Sequence, residues 1–414
     1  MNDIGQAVAA LDPKKRELLA LLLKRQGGEA ARTILPVPRG AGPYPASFAQ
    51  ERLWFLDRLR PGDPAYHLPW LRTFHEGAVP ETVLRQALAR LCERHEALRT
   101  RFVERDGRPF QDILPPDRIA VPFAVIDLSG LAVPAEALEE EWFRLSDQEH
   151  LTPFDLGRAP LLRARLVRFP GGTETLVLTL HHIVSDGWSL GVLGRDLAAL
   201  TSGKDQQTQG SLPSLPIEYV DFTVWQQEQL RGEALERHLG YWRERLAGLP
   251  PALDLPADRP RPATGSALGT RVFFVLPAAL PAGVAALGRR AGATLFMTLL
   301  AGFAALLVRW SGEEDLAIGT PVAGRHHREL EPLVGLFVNS LVLRCDAAGD
   351  PSFEELLERV RRTAVEAFSH QDLPFEKLVQ ELRPERALNR QPLFQVMFAM
   401  RNAAGGEAAE NAAL

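Results

Sequence analysis

Between Val79 and Phe102, apolar residues recur at helical spacing. Leu84, Ala87, Leu88, Leu91, His95 and Leu98 share one face and charges occupy the other, which predicts an amphipathic helix. Cys92 borders that stripe and reads as a small core residue. Further on, TETLVLTL (173–180) alternates threonine and valine with leucine and predicts a strand that delivers His181 and His182 at its end. Past Gly187 the helical period returns, with Leu190, Leu193, Leu197 and Leu200 on one face and Ser189 as the expected cap. The stretch HHIVSDG (181–187) therefore lies at a strand–loop–helix joint, where side chains can be held rigidly and still be reached.

The same reading divides the chain. Asp12 as cap, Pro13 in the first turn and Gly27 after the basic turn Lys24-Arg25 predict a free-standing helix. ILPVPRGAGPYP (34–45) then serves as a connector, so residues 1–43 are a helix and linker. TSGKDQQTQGSLPSLP (201–216) is polar, rich in Gly, Ser, Gln and Pro, and is the expected interlobe linker. Helical segments around 217–247, a Pro-rich crossing at 250–262 and a strand TRVFFVL (270–276) follow. LFMTLLAGFAALLVRW (295–310) and FEELLERVRRTAVEAFSH (353–370) predict helices, with strand-like DLAIGTPVA and VGLFVNSLVLRC between them. Strands mixed with helices on both sides of the linker predict two α/β lobes, 44–200 and 217–403, with a disordered tail at 404–414.

Composition narrows the function classes. A net charge of −5 over 414 residues gives no reason to expect nucleic acid or an anionic membrane as partner. Cys92 and Cys345 are the only cysteines, too few for a disulfide framework or a Cys-rich zinc site, and they suit a reducing compartment. The first residues do not form a signal peptide, so a soluble, cytoplasmic protein is expected.

The chemistry centres on the histidine pair. Adjacent residues on an extended chain face opposite ways, so His181 and His182 are poorly placed to chelate one metal ion. A pair that merely satisfies hydrogen bonds at a strand end is the plain alternative. His326-His327, with no Asp-Gly at the matching spacing, is assigned to a solvated loop. For the first pair, one ring can face a cavity while its neighbour faces the core. Imidazole can accept a proton near neutral pH or hydrogen-bond an incoming nucleophile. Asp186 can hold the loop by pairing with an arginine. Gly187 either lets a substrate approach the backbone or supplies a conformation closed to other residues. No GxSxG serine or plausible cysteine nucleophile accompanies the pair, so direct transfer, in which one substrate attacks the other, fits better than a covalent hydrolase.

Seven stretches then resemble, in order, the motifs of the condensation domains of nonribosomal peptide synthetases. They are SFAQERLWFLDRL (47–59), RHEALRTRF (94–102), HHIVSDGWS (181–189), YVDFTVWQ (219–226), IGTPVAGRHHRELEPLVGLFVNSLVLR (318–344), HQDLPFEKLV (370–379) and NRQPLFQVMF (389–398). The resemblance implies two lobes, each similar to chloramphenicol acetyltransferase, in a V-shaped pseudo-dimer with an active-site tunnel between them. It implies no intrinsic cofactor. The substrates would be phosphopantetheine thioesters on donor and acceptor carrier proteins, or acyl-CoA, with an adenylation domain as neighbour and the domain itself a monomer. By resemblance, His182 is the central residue, positioning the acceptor amine or relaying its proton, with His181 as support. Asp186 is expected in a structural ion pair with Arg94 or Arg99, and Gly187 at the tunnel wall. Trp188, Ser189 and Asn339 are supporting residues, while Trp225, Tyr219 and Asp221 read as packing or structural.

HHxxxDG separates the chain from heterocyclisation domains, which carry DxxxxD, and its flanking motifs resemble amide-forming rather than epimerising relatives. SFAQERLWFLDRL and PGDPAYHLP resemble domains that take an L-configured peptidyl donor or starter domains that take a fatty acyl group. Met1 before a single short helix favours the starter type. A non-catalytic domain that binds a carrier or another partner is the alternative from a different class. The family continues for several tens of residues past PLFQVMF, so either an excised piece or a second lobe without its last elements is expected here.

Overall fold

The computed structural model describes residues 33–400, except 41, 76, 78, 203–211, 260–261, 263–268 and 385–389. The expected helix at 13–26 and the tail from 404 lie outside the described residues. After a short strand β1 (Tyr44–Pro45), Ser47 and Gln50 form a reciprocal cap that opens helix α1 (Phe48–Leu59). Then come β2 (His67–His75), α2 (Glu81–Arg94), β3 (Thr100–Arg105), β4 (Arg108–Ile113), β5 (Phe123–Asp127) and α3 (Ala135–Leu151). Next are β6 (Leu162–Phe169), β7 (Thr173–His181) and α4 (Gly187–Thr201). The predicted stripe on α2 is buried, and so is every residue of β7 after Thr173. β7 runs antiparallel between β2 and β6 in a four-stranded sheet of order β2-β7-β6-β5. β1, β4 and β3 form a second, smaller sheet.

The remaining elements are α5 (Tyr219–Gln229), α6 (Gly232–Arg245), α7 (Leu280–Arg290), α8 (Leu295–Ser311), β8 (Asp315–Val322) and β9 (Asn339–Asp346). They end with α9 (Phe353–Phe368), α10 (Phe375–Leu382) and β10 (Val396–Met397), in a sheet of order β10-β8-β9. No single helix among the described residues is long and apolar enough to cross a membrane. The predicted strand at 270–276 does not form: the segment is irregular, and Val272, Phe273, Phe274 and Val275 are exposed. A strand exists only where a neighbour accepts its backbone hydrogen bonds, and none among the described residues does.

Two hydrophobic cores follow from this order. The first gathers α2, β6, β7 and α4, and the second gathers α6, α8, β8, β9 and α9. The division departs from the predicted one in two places. Leu215, Ile217, Tyr219 and Phe222, at or beyond the expected linker, belong to the first core. So do Leu330, Leu333, Val334, Leu336 and Phe337, from the connection between β8 and β9. That connection crosses between the halves, and two glycines let it pass. A Cβ on Gly335 would lie 2.0 Å from the Tyr219 ring. Gly324 has φ +65, and a Cβ there would lie 2.0 Å from the Phe337 carbonyl oxygen.

The segment that enters β1 is held by charge. Arg39 reaches both Glu96 and Asp221, and Asp221 also accepts the Val37 N–H at 2.7 Å. Beside them, burial and the neighbouring Glu96 carboxylate push the Glu218 carboxyl up to about 8. An unfolded chain releases that proton near the ordinary carboxylate value of about 4.3. The folded state thus holds an extra proton between those values, and stability falls as pH rises through the window. Glu218→Gln keeps an acceptor for its backbone partners without the charge. The variant is expected to match the parent in urea midpoint at pH 4.5 and exceed it at pH 8.5. An equal difference at both pH values would contradict this account.

Candidate active site

His181 ends β7 opposite His67 of β2, and His182 opens a 3-10 turn that runs to Val184. The His181 side chain is buried, edge-on to the rings of His67 and Phe154. Its Nδ1 accepts the Ile183 N–H at 3.1 Å, which requires a neutral ring with the proton on Nε2. Burial pushes this imidazole down to about 3, in keeping with that neutral form. His181 is thus a local brace. His182 is half-buried, and burial also holds it below the usual histidine range, against the opposing pull of nearby carbonyls and Asp186. At pH 7 it carries a free imidazole lone pair.

Asp186 caps α4, a place the sequence reading had assigned to Ser189. Its Oδ1 accepts the Ser189 N–H at 2.8 Å, and its Oδ2 accepts the Phe337 N–H at 2.9 Å. The expected ion pair exists with a different partner. Arg325 Nη2 lies 3.2 Å from Asp186 Oδ1 and 2.8 Å from Ser189 Oγ, with both charged side chains almost fully buried. Arg325 Nη1 donates to the Leu330 and Leu333 carbonyls, and the guanidinium stacks 4.0 Å from the Phe337 ring. Arg94 is instead paired with Asp196, which His95 shares, and Arg99 with Glu96 and the Leu114 carbonyl. α4 thus offers Arg94 its Asp196 rather than Asp186, and Arg99 finds its carboxylate three residues back in its own turn.

The other candidates fall around this joint. Ser189 Oγ accepts the Gly335 N–H at 3.1 Å, and the Trp188 indole donates to the Glu331 carbonyl at 2.9 Å. Gly187 is exposed, its φ is not positive, and a Cβ there would meet nothing within 4 Å. Of the two roles expected for it, the geometry leaves close approach and removes special conformation. Asn339 begins β9, and its amide is fully used. It donates to the Gln371 and Leu373 carbonyls and accepts the Ser340 and Phe375 N–H groups, so it shapes the turn before α10. The second histidine pair is less bland than expected. His326 is exposed and lies 3.5 Å from Asp372, while His327 stands edge-on to Trp225. With Ser47, Phe222 and Asn339 they line a cavity of about 440 Å³, walled by residues of the first core, by Arg237 and His238 of α6, and by the turn before α10. Arg325 was the residue the sequence reading missed. Its only signal was its place just before that histidine pair.

Comparison with known proteins gives the family. The chain is 46% identical over 411 residues to phosphinothricin tripeptide synthetase PhsC of Streptomyces viridochromogenes, covering 99% of this chain and 37% of that protein. It is 46% identical over 374 residues to one of the proteins of the linear gramicidin synthase of Brevibacillus parabrevis, covering 90% of this chain and 7% of that protein. The chain therefore spans little more than a third of the one relative and a small fraction of the other. Among solved structures, the X-domain from teicoplanin biosynthesis superposes with a TM-score of 0.78 at 29% identity, over 88% of this chain and 79% of that one. The family model described as "Condensation domain" matches residues 41–413. With nearly the whole described fold inside that match, this chain belongs to the condensation domain family.

Proposed function

We propose that the chain forms an amide bond between two thioester-bound substrates. The α-amine of an aminoacyl group on an acceptor carrier attacks the thioester carbonyl of the donor. A C–N bond forms, the C–S bond breaks, and the amine's proton leaves with the donor's thiol. The observation that carries this reading is His182: a neutral imidazole on the turn between β7 and α4, beside the cap Asp186 that Arg325 holds. Its lone pair is suited to orient the amine or relay its proton. The reaction draws on phosphopantetheine thioesters as substrates, with carrier and adenylation domains as partners.

For the donor we favour a carrier-bound L-peptidyl group. The peptidyl part is supported by the names of the relatives, a tripeptide synthetase and a linear gramicidin synthase, and the L configuration by the resemblance of SFAQERLWFLDRL and PGDPAYHLP. The starter type expected from the sequence is the competing outcome of one experiment. An aminoacyl carrier protein is offered as acceptor, with octanoyl-CoA and a peptidyl carrier protein as rival donors, and the product is read by mass spectrometry. An extended peptide is expected, and an N-octanoyl amino acid would instead make this a starter domain. A third reading is favoured by the structure of the X-domain in complex with OxyB, which is similar over 88% of this chain. No product from either donor, with tight binding of a partner protein, would turn the assignment to such a binding role.

A further inference from the structure

Gln50 lies on α1, 133 positions before Ile183 in the chain, and is 1% exposed. Its Oε1 accepts the Ser47 N–H at 3.0 Å, which orients the amide and points Nε2 the other way. Nε2 donates to the Ile183 carbonyl at 3.0 Å and lies 3.4 Å from Gln111 Oε1. The Gln111 amide nitrogen donates to the Pro45 carbonyl at 2.8 Å and lies 3.4 Å from Thr223 Oγ1. Thr223 donates to the Tyr219 carbonyl. The Tyr219 hydroxyl donates to the Leu336 carbonyl at 2.8 Å and lies 2.8 Å from Ser47 Oγ. Ser47, Gln50, Gln111, Tyr219 and Thr223 are each at most 2% exposed. Buried polar networks of this kind, when satisfied, hold a single arrangement because any other leaves a group unpaired.

Ile183 is the middle residue of the turn that His182 opens. Within the motif, that turn is tied by Ile183 N–H to His181 Nδ1 and by Ser185 N–H to the His182 carbonyl. Gln50 ties it from outside. Without the Gln50 donor, the buried Ile183 carbonyl has to find another partner or go unsatisfied, and either outcome rotates the Ile183–Val184 peptide, one residue beyond His182 in the same turn. The network also ends on Leu336, in the same crossing segment that carries Phe337 to Asp186. We propose that Gln50 is a positioning residue for His182, acting through the Ile183 carbonyl. This rests on the catalytic reading of His182.

The test uses the full chain, an L-alanyl carrier protein as acceptor and a dipeptidyl N-acetylcysteamine thioester as donor. Gln50→Met removes the donor with little change of volume. Its kcat is expected to fall about 10- to 100-fold, the scale of a small misplacement, with KM for either substrate little changed. In Gln50→Glu a neutral carboxyl can donate its O–H to Ile183, whereas a carboxylate cannot. Its kcat is therefore expected to approach the parent's at low pH and to drop as pH rises, a limb the parent lacks. A folded Gln50→Met with parental kcat would overturn the proposal. So would activity losses in both variants that merely track the unfolded fraction at every pH. His182→Ala in the same assay separates the two levels. If it keeps parental kcat, the reading of the site fails. If it is inactive while Gln50→Met is not, only the positioning role fails.

Discussion

His182→Ala is expected to lower turnover about 100- to 10,000-fold, the usual contribution of a positioned acid–base group. The fold should survive, because the ring is half-buried and burial keeps it uncharged, so its removal strands no ionic partner. The pH dependence gives a second readout. His182 is depressed below the usual histidine range, so above neutral pH it is already in its working form. A rise in parental rate toward pH 8 then belongs to the acceptor amine, with a reference value of about 7.7–8.0, and its midpoint should persist in the residual activity of the variant. Parental turnover in a folded His182→Ala protein, measured by mass spectrometry of the amide, would remove His182 from the mechanism.

Arg325→Met should be the most destabilising single change at the site. It leaves the Asp186 carboxylate buried without its cation, a loss of about 3–5 kcal/mol for breaking a buried pair from one side. Arg325→Lys should recover little of this. One ammonium cannot serve the Leu330 and Leu333 carbonyls on one side and Asp186 with Ser189 on the other. The double variant Asp186→Asn with Arg325→Met should lose less than the sum of the single losses, since it keeps a cap for α4 and abandons the stranded charge. Urea midpoints of the four proteins read the coupling. Additive losses would show that the two charges do not support each other. Activity should fall with Arg325→Met even where the protein is folded, because the crossing segment and the catalytic turn share Asp186.

Much of the fold was legible where burial has a period. The α2 stripe, β7 and the leucine face of α4 follow from spacing alone, because each element buries one repeating set of side chains. The apolar run at 270–276 has equally strong strand character and is no strand, since a strand's hydrogen bonds belong to its neighbours. The candidate site shows the same division. Asp186 carried a recognisable need for an arginine, and two arginines close to a motif were credible partners. The residue that meets it lies 139 positions later, beyond the reach of any local pattern. Gly187 is a milder case: both of its possible roles suit the sequence, and only the open space around it and its ordinary backbone select one.

The sequence by itself determined the histidine turn at a strand end, the family whose motifs it carries and the acyl-transfer chemistry to expect. Those are properties of short stretches and of their order. Only the tertiary structure decided that His181 is a neutral brace, that Arg325 holds Asp186 and that Gln50 reaches the Ile183 carbonyl. The first depends on His67 of β2 and Phe154 packing against the His181 ring, the second on the segment between β8 and β9 crossing into the first core, and the third on α1 docking against the turn after β7. Buried charges and carbonyls must find partners wherever the chain brings them close, and that proximity arises only when distant segments pack.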